Sequence, residues 1–324
     1  MLNIVFIIVG VALVLWGADR LTDGAEALAQ RMNIPQIVIG LTVVAMGTSM
    51  PEFFVSLVSA IKGTPDLAVG NVVGSNIMNT LLIVGVTALV APLAIARTTV
   101  KKDIPFAIGA SVLLTLLCLD NNISRLDAAL LTAGFIFFII YTVRMAVKGK
   151  ADNQEEAPKK QSVLKSVCFV ALGLACLIVG SNLFVEGAVN VATLLGVSQA
   201  VIGLTVVAGG TSLPELATSV MAARKGRSAM AIGNVIGSNV FNILMILGIT
   251  GLVCPMQMQG ITIIDFVVLL LSILVLWLFS FTKFTVERWE GAWLLFLFVV
   301  YMLWLIKEAT GAWRIAVFGF DIVV

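Results

Sequence analysis

Histidine is absent from this 324-residue sequence, and its four cysteines form no CxxC pair. Without histidine the chain lacks the commonest metal ligand and proton carrier, so a zinc-dependent enzyme is not expected. The scattered cysteines are most simply small apolar side chains. Neither GxxxxGK(S/T) nor GxGxxG occurs, which argues against nucleotide binding and ATP-driven transport. We therefore expect no enzyme activity, no catalytic residues and no cofactor.

Charged residues are also scarce, at 12% of the chain, whereas hydrophobic residues make up 60% and the mean hydropathy is +1.09. These values indicate a polytopic membrane protein whose spans each need roughly 20 apolar residues. The first apolar run has no basic segment and no small-residue cleavage site before it becomes polar, so we expect an uncleaved span. An all-α fold with ten transmembrane helices is predicted, at residues 2–18, 35–61, 66–91, 104–119, 126–147, 164–182, 198–223, 229–253, 262–282 and 290–307.

The sequence repeats itself at an offset of 163 residues. Residues 34–90 align without gaps on residues 197–253, and about 32 of these 57 positions are identical. Such self-similarity indicates an internal duplication. We predict one five-helix repeat at 1–148 and a second at 164–324, joined by the polar segment 149–163. That segment reads as a flexible connector, with a regulatory role as the alternative.

Five spans per repeat is an odd number, so the second repeat is predicted to enter the membrane from the opposite side. If the helices alternate from residue 1, about sixteen Lys and Arg residues fall on one face and four on the other. The positive-inside rule then places both termini outside, in the periplasm or extracellular space, and the connector in the cytoplasm. The basic residues mark topology in the lipid bilayer, and no nucleic-acid partner is expected.

The phrases GTSMPE and GTSLPE each place a glutamate within an apolar span. In the first, Thr48, Ser49 and Glu52 share one helix face. Pro51 has no N–H and kinks the helix, so that nearby carbonyls such as that of Ala45 turn inward. The corresponding residues of the second phrase are Ala208, Thr211, Ser212, Pro214 and Glu215.

The phrases GNVVGSN and GNVIGSN follow one helix later. Ser75 and Asn79 share a helix face, and Ser238 and Asn242 do the same. Oxygen ligands of these kinds suit calcium and sodium. The other asparagines of the phrases, Asn71, Asn76, Asn234 and Asn239, are interpreted as interhelical hydrogen-bond residues, and the GxxxG spacings as close helix packing.

No Lys or Arg lies within these phrases to pair with the two glutamates, each of which costs roughly 2.5–3.5 kcal/mol in the membrane if ionised and unpaired. A cation or a proton must therefore offset their charge. Five other charged residues are interpreted as lying at the membrane interface or along a water-filled path and not in the site. They are Asp19, Arg20, Asp23, Glu26 and Glu186.

Both phrases, present twice and in the same order, resemble the repeats of the sodium/calcium exchanger family in the calcium/cation antiporter superfamily. The short connector is similar to that of compact prokaryotic members. The resemblance implies two inverted five-helix halves, four adjacent central cation sites, and first and sixth helices that slide to alternate access.

The resemblance also implies roles for the site residues. Glu52 and Glu215 would hold calcium and share sodium, and hydroxyls would complete the sites, from Thr48, Ser49, Thr211 and Ser212. The sodium ions would use Ser75, Asn79, Ser238 and the carbonyls of Ala45 and Ala208. Asn242 stands where many exchangers have aspartate, so potassium dependence is not expected.

We therefore expect a secondary-active antiporter that exchanges sodium for calcium across the cytoplasmic (inner) membrane by alternating access. Proton/calcium antiport is the first alternative, because two protons would also neutralise both glutamates. A cation channel and a non-transporting membrane scaffold are less favoured alternatives.

Overall fold

Residues 2–149, 162–195, 208–310, 314–317 and 320–323 are described by the structure, a computed structural model. Nearly all of them are helical. The helices are α1 (Leu2–Met32), α2 (Gln36–Thr48), α3 (Met50–Ile61), α4 (Pro65–Val90), α5 (Ile104–Leu117), α6 (Arg125–Gly149), α7 (Val163–Leu194), α8 (Ala208–Thr211), α9 (Leu213–Arg224), α10 (Ser228–Val253), α11 (Ile263–Phe279) and α12 (Arg288–Thr310). In the described part of the chain, π turns interrupt or precede these helices at Gly40–Val44, Asn79–Ile83, Thr99–Asp103 and Phe241–Ile246.

Helices occupy the predicted spans wherever the structure describes them; residues 198–207 of the seventh span lie outside the described residues. Among the described residues, six continuous helices are long and apolar enough to cross a membrane, namely α1, α4, α6, α7, α10 and α12, and the bent pair α2 and α3 makes a seventh candidate. With 14 and 17 residues, α5 and α11 are shorter than the roughly 20 that a perpendicular span needs. The count of ten transmembrane helices and the sidedness therefore stay predictions.

The two longest helices, α1 and α7, pack antiparallel along a seam of glycines. Gly10 lies against Gly180, and Gly17 against Gly173. A Cβ atom added to Gly17 would lie 2.8 Å from the carbonyl oxygen of Gly173. The absence of side chains thus lets the two backbones approach closely. Both helices continue past the apolar runs predicted for them, to Met32 and Leu194.

The centre of the molecule consists of α4 and α10. Their apolar stretches are 78% and 83% buried, whereas those of α1, α6, α7 and α12 are only 22–28% buried. The second GxxxG phrase packs α10 on α2, because a Cβ atom on Gly233 would lie 2.7 Å from the carbonyl oxygen of Ile37 and one on Gly237 2.6 Å from that of Leu41. The packing role predicted for this phrase is confirmed.

Short strands join the two repeats at two places. The strands are β1 (Leu93–Ala94), β2 (Asn122–Ile123), β3 (Met256–Gln257), β4 (Thr285–Val286), β5 (Arg314–Val317) and β6 (Phe320–Val323). β1 pairs antiparallel with β4, and β2 with β3. At the offset of 163 residues, β1 corresponds to β3 and β2 to β4. The two pairs are therefore the same contact made twice, and each joins one repeat to the other.

Candidate cation-binding site

Both GTS-x-PE phrases form broken helices. The axes of α2 and α3 differ by 46°, and Ser49 lies at the break with φ −84° and ψ 8°. Ser212 has the same conformation between α8 and α9, with φ −91° and ψ 5°. A proline in the first turn of each following helix, Pro51 or Pro214, explains the break, because it removes an N–H and clashes with the preceding turn. The kink predicted at Pro51 is confirmed, and Ser212 interrupts the helix before Pro214 with the same backbone conformation.

The two glutamates lie in the first turns of α3 and α9, and each is only 1% exposed. Each accepts a hydrogen bond from the broken helix of the other repeat. Ser49 Oγ donates to Glu215 Oε1 at 2.8 Å, and Ser212 Oγ donates to Glu52 Oε1 at 3.4 Å. The crossed bonds place both glutamates in one central site, where helix N-termini favour negative charge.

Several buried oxygen atoms of this site have no hydrogen-bond partner among the described residues. They are Oε2 of Glu52 and of Glu215, Oδ1 of Asn79 and of Asn242, and Oγ of Ser238. No ion pair within the described ranges involves either glutamate. Buried acceptors without a partner are costly and therefore rare. A bound cation would satisfy them.

The ligand chemistry is that of hard cations. In the described part of the chain, no three Cys, Asp or Glu side chains come together as a metal site, so two carboxylates would act with hydroxyl and amide oxygens. Asn79 and the segment around Asn242 lie in π turns of α4 and α10, a distortion that is frequent at functional sites. This donor set suits calcium or sodium better than a soft transition metal.

Asparagines from the neighbouring helices fix the backbone at each glutamate. Asn71 Nδ2 donates to the carbonyl oxygen of Glu52 at 3.1 Å and to Ser56 Oγ at 2.9 Å. Asn234 Nδ2 makes the equivalent bond to the carbonyl oxygen of Glu215 at 3.3 Å. The interhelical role predicted for these asparagines is confirmed.

The remaining predicted site residues lie around this centre. Thr48 is buried, and its hydroxyl contacts the carbonyl of Ala45 at 3.3 Å. Ser75 is buried on α4. Ala208 and Thr211 are the first and last residues of α8. The carbonyl of Ala45 also accepts the backbone N–H four residues later, at 3.0 Å, so it keeps its helical bond. The ligand roles of all five residues stay predictions.

Ser181, near the site, belongs to neither of the repeated phrases. Because Pro214 has no N–H, the carbonyl of Gly210 loses its helical partner. Ser181 on α7 supplies the missing donor, with its Oγ 2.5 Å from that carbonyl oxygen. The aligned position of the first repeat is Ala18, which cannot donate. The proline was a signal that a donor was needed, but the repeat did not indicate which residue provides it.

The acidic residues of α1, which were predicted to lie at the interface or along a water-filled path, form ion pairs. Lys225 Nζ lies 2.5 Å from Asp19 Oδ1 and 2.9 Å from Asp23 Oδ1. Arg227 lies 3.0 Å from Asp23 and also pairs with Glu26. The two basic residues belong to the turn between α9 and α10, so this ion-pair cluster ties α1 to the central helices. No local pattern in the sequence indicates these partners.

Comparison with known proteins decides the family. The family model described as "Sodium/calcium exchanger protein" matches residues 2–144 and 165–307. The chain belongs to this family. The second matched segment begins and ends 163 residues after the first, the same offset as the internal repeat, and the resemblance read from the two phrases is confirmed.

Individual relatives agree with this family assignment. It is 42% identical over 257 residues to the putative antiporter CaxA of Alkalimonas amylolytica, covering 78% of this chain and 81% of CaxA. It is 31% identical over 341 residues to the sodium/calcium exchanger MaX1 of Methanosarcina acetivorans, covering 93% and 97% of the two chains. A solved structure of the sodium-calcium exchanger NCX_Mj matches with a TM-score of 0.82 and 31% identity, over 93% of this chain and 98% of that chain. These matches support a prokaryotic-sized cation antiporter embedded in a membrane.

Proposed function

We propose that this protein exchanges sodium for calcium across the cytoplasmic (inner) membrane, by alternating access at the central site. The observation that carries the proposal is the set of five buried acceptor oxygens that have no hydrogen-bond partner among the described residues, including one carboxylate oxygen from each repeat. A site of this kind needs a cation to offset its charge. The names of MaX1 and NCX_Mj support sodium and calcium as the two ions.

The proposed ligands come from both repeats. Glu52 and Glu215 hold calcium, which takes about 6–8 oxygen ligands, and share sodium. The other proposed ligands are Thr48, Ser49, Thr211, Ser212, Ser75, Asn79, Ser238, Asn242 and the carbonyls of Ala45 and Ala208. The crossed bonds from Ser49 and Ser212 support a site to which each broken helix contributes equally.

A three-for-one exchange at this site would respond to voltage. One Ca²⁺ neutralises two carboxylates, whereas three Na⁺ leave a net charge of +1. A three-for-one exchange therefore moves charge, at about 2.3 kcal/mol per charge per 100 mV. Two protons would also neutralise the carboxylates, so proton/calcium antiport is the competing coupling.

The proposed topology has ten spans in two inverted halves, 1–148 and 164–324, with both termini outside and the linker 149–163 in the cytoplasm. The Lys and Arg bias supports this sidedness. Inverted repeats with broken helices at the bilayer midplane are typical of secondary transporters, in which one part of the molecule moves against the rest around a fixed site. The closely packed pair α1 and α7 is the part that we propose to move.

Radioactive calcium uptake into proteoliposomes distinguishes the couplings. Vesicles loaded with sodium and diluted into sodium-free buffer are compared with vesicles that carry only a pH gradient. We expect uptake with the sodium gradient and none with the pH gradient alone. Uptake driven by the pH gradient alone would establish proton coupling instead. A channel would pass calcium without any counter-gradient, and a scaffold would pass none.

The site is tested by Glu52→Gln and Glu215→Gln, which remove one negative charge with little change of shape. We expect each variant to lose nearly all coupled calcium uptake, because the remaining carboxylate leaves the divalent ion only half neutralised. Glu186→Gln is the matched control, since this glutamate is exposed on α7 and makes no ion pair with any described residue. Substantial coupled uptake in both site variants would refute the ligand assignment.

A further inference from the structure

Asn79 and Asn242 each have an amide oxygen in the central site that accepts no hydrogen bond from any described residue. A side-chain amide has two different ends, an oxygen that accepts and an NH₂ group that donates. Only the oxygen end attracts a cation. Something must therefore hold each amide with its oxygen toward the site and its NH₂ group away from it.

Two further asparagines do this across the contact of α4 with α10. Asn79 Nδ2 donates to Asn239 Oδ1 at 3.1 Å, and Asn242 Nδ2 donates to Asn76 Oδ1 at 3.3 Å. The two bonds are equivalent under the 163-residue offset. Since each NH₂ group is engaged away from the site, the oxygen at the other end of the amide is the atom left for the cation.

The direction of these bonds is fixed by backbone carbonyls, which can only accept. For Asn242 the series of linked hydrogen bonds is short: its partner Asn76 donates directly, through Nδ2, to the backbone carbonyl of Asn239 at 3.4 Å. Asn76 therefore presents Oδ1, not its NH₂ group, to Asn242. A reversed Asn76 would set its Oδ1 against that carbonyl and its NH₂ group against the NH₂ group of Asn242.

For Asn79 the series of linked hydrogen bonds includes one more residue, Thr80. Thr80 Oγ1 donates to the backbone carbonyl of Asn76 at 2.9 Å, so its hydrogen is engaged and its lone pairs remain. Asn239 Nδ2 donates to Thr80 Oγ1 at 2.8 Å, which leaves Asn239 Oδ1 to accept from Asn79. All residues of this series are at most 3% exposed. In such a low-dielectric environment linked hydrogen bonds strengthen one another and reversal is costly.

We propose that Asn76 and Asn239 are positioning residues, which turn the amide oxygens of Asn242 and Asn79 toward the transported cation. This inference rests on the proposed function, because it takes both amide oxygens as ligands. It predicts a specific pairing: Asn76 acts through Asn242, and Asn239 acts through Asn79. Neither positioning residue contacts the ion.

Double-mutant cycles on calcium binding test the pairing, with calcium alone titrated into the purified full-length protein. Asn76→Ala is expected to weaken calcium binding roughly 10- to 100-fold, the usual effect of losing a residue that orients a metal ligand. Asn242→Asp presents an oxygen in either orientation and no N–H. In that background, Asn76→Ala should cost less than about threefold, whereas in the Asn79→Asp background it should keep its full effect.

The mirror cycle, Asn239→Ala with Asn79→Asp, repeats the test should Asn242→Asp fail to fold or to bind calcium. Equal losses from Asn76→Ala in the Asn242→Asp and Asn79→Asp backgrounds would show that Asn76 only packs α4 on α10, and would overturn the proposal. Calcium binding needs no coupling ion. Failure of sodium-driven uptake would therefore refute the proposed exchange and leave this cycle interpretable.

Discussion

The glycine seam between α1 and α7 makes a sharp prediction about packing. A Cβ atom added to Gly17 would lie 2.8 Å from the carbonyl oxygen of Gly173 and 3.0 Å from the Cβ atom of Cys176. The first of these atoms is backbone, which cannot turn aside as a flexible side chain can. Gly17→Ala must therefore push the two helices apart along part of their length.

The expected magnitude follows from two opposing effects. Overpacking against a rigid neighbour costs about 1–3 kcal/mol, and the backbone contact at Gly17 favours the upper end. Alanine in place of glycine stabilises a helix interior by about 1 kcal/mol. We expect Gly17→Ala to lower the free energy of unfolding by about 2 kcal/mol. Gly109 in α5 is the control, since no described atom lies within 4 Å of an added Cβ; there only the gain of about 1 kcal/mol remains.

Thermal unfolding of the purified protein in detergent measures both variants, with the fluorescence of the six tryptophans as the signal. Gly17→Ala should melt below the wild type and Gly109→Ala at or above it. If Gly17→Ala melts at or above the wild type, the close approach of the two backbones does not exist as described, and the reasoning about the seam is wrong.

Two further predictions use the same melting assay. Lys225→Met should lower the free energy of unfolding by about 1–2 kcal/mol, because it leaves two half-buried carboxylates of α1 without their ammonium partner. Lys62→Met, at the aligned exposed position with no ion pair to a described residue, should change the melting temperature little. Equal melting temperatures of the two variants would contradict the ion-pair cluster. Ser181→Ala should lower the free energy of unfolding by about 1–3 kcal/mol, because it leaves the buried carbonyl of Gly210 without its donor. Ser181→Thr should recover part of this loss. An unchanged melting temperature for Ser181→Ala would mean that the carbonyl has another partner.

The candidate site was predictable because its chemistry is local and repeated. Thr48, Ser49 and Glu52 lie within about one helical turn, so helix geometry alone places them together. The repeat then implied a second copy, and two acids without cationic partners implied one shared site. The crossed bonds between Ser49 and Glu215 were not predictable, because they depend on how the two halves meet.

What the sequence did not indicate is what differs between the repeats. Lys225 is one of the basic partners of the α1 acids, but the aligned Lys62 makes no ion pair with a described residue. Ser181 caps a carbonyl where Ala18 cannot. Comparing the repeats reveals only what they share. Contacts between residues far apart in the sequence, from 29 positions for Ser181 and Gly210 to 206 for Lys225 and Asp19, leave no local pattern.

The paired strands bear on how such a chain could arise. Under the 163-residue offset, the contact of β1 with β4 is equivalent to the contact of β3 with β2. Each half therefore uses the same two strands against the other, so the interface is isologous, as in a symmetric homodimer. A half-length ancestor with both strands could have made each contact with a second copy inserted in the opposite orientation. Gene fusion would then have added the linker to an interface that already existed. On this view, two separately synthesised halves should still assemble, through the same ladders and the same helix seam, after the chain is cut between residues 149 and 163.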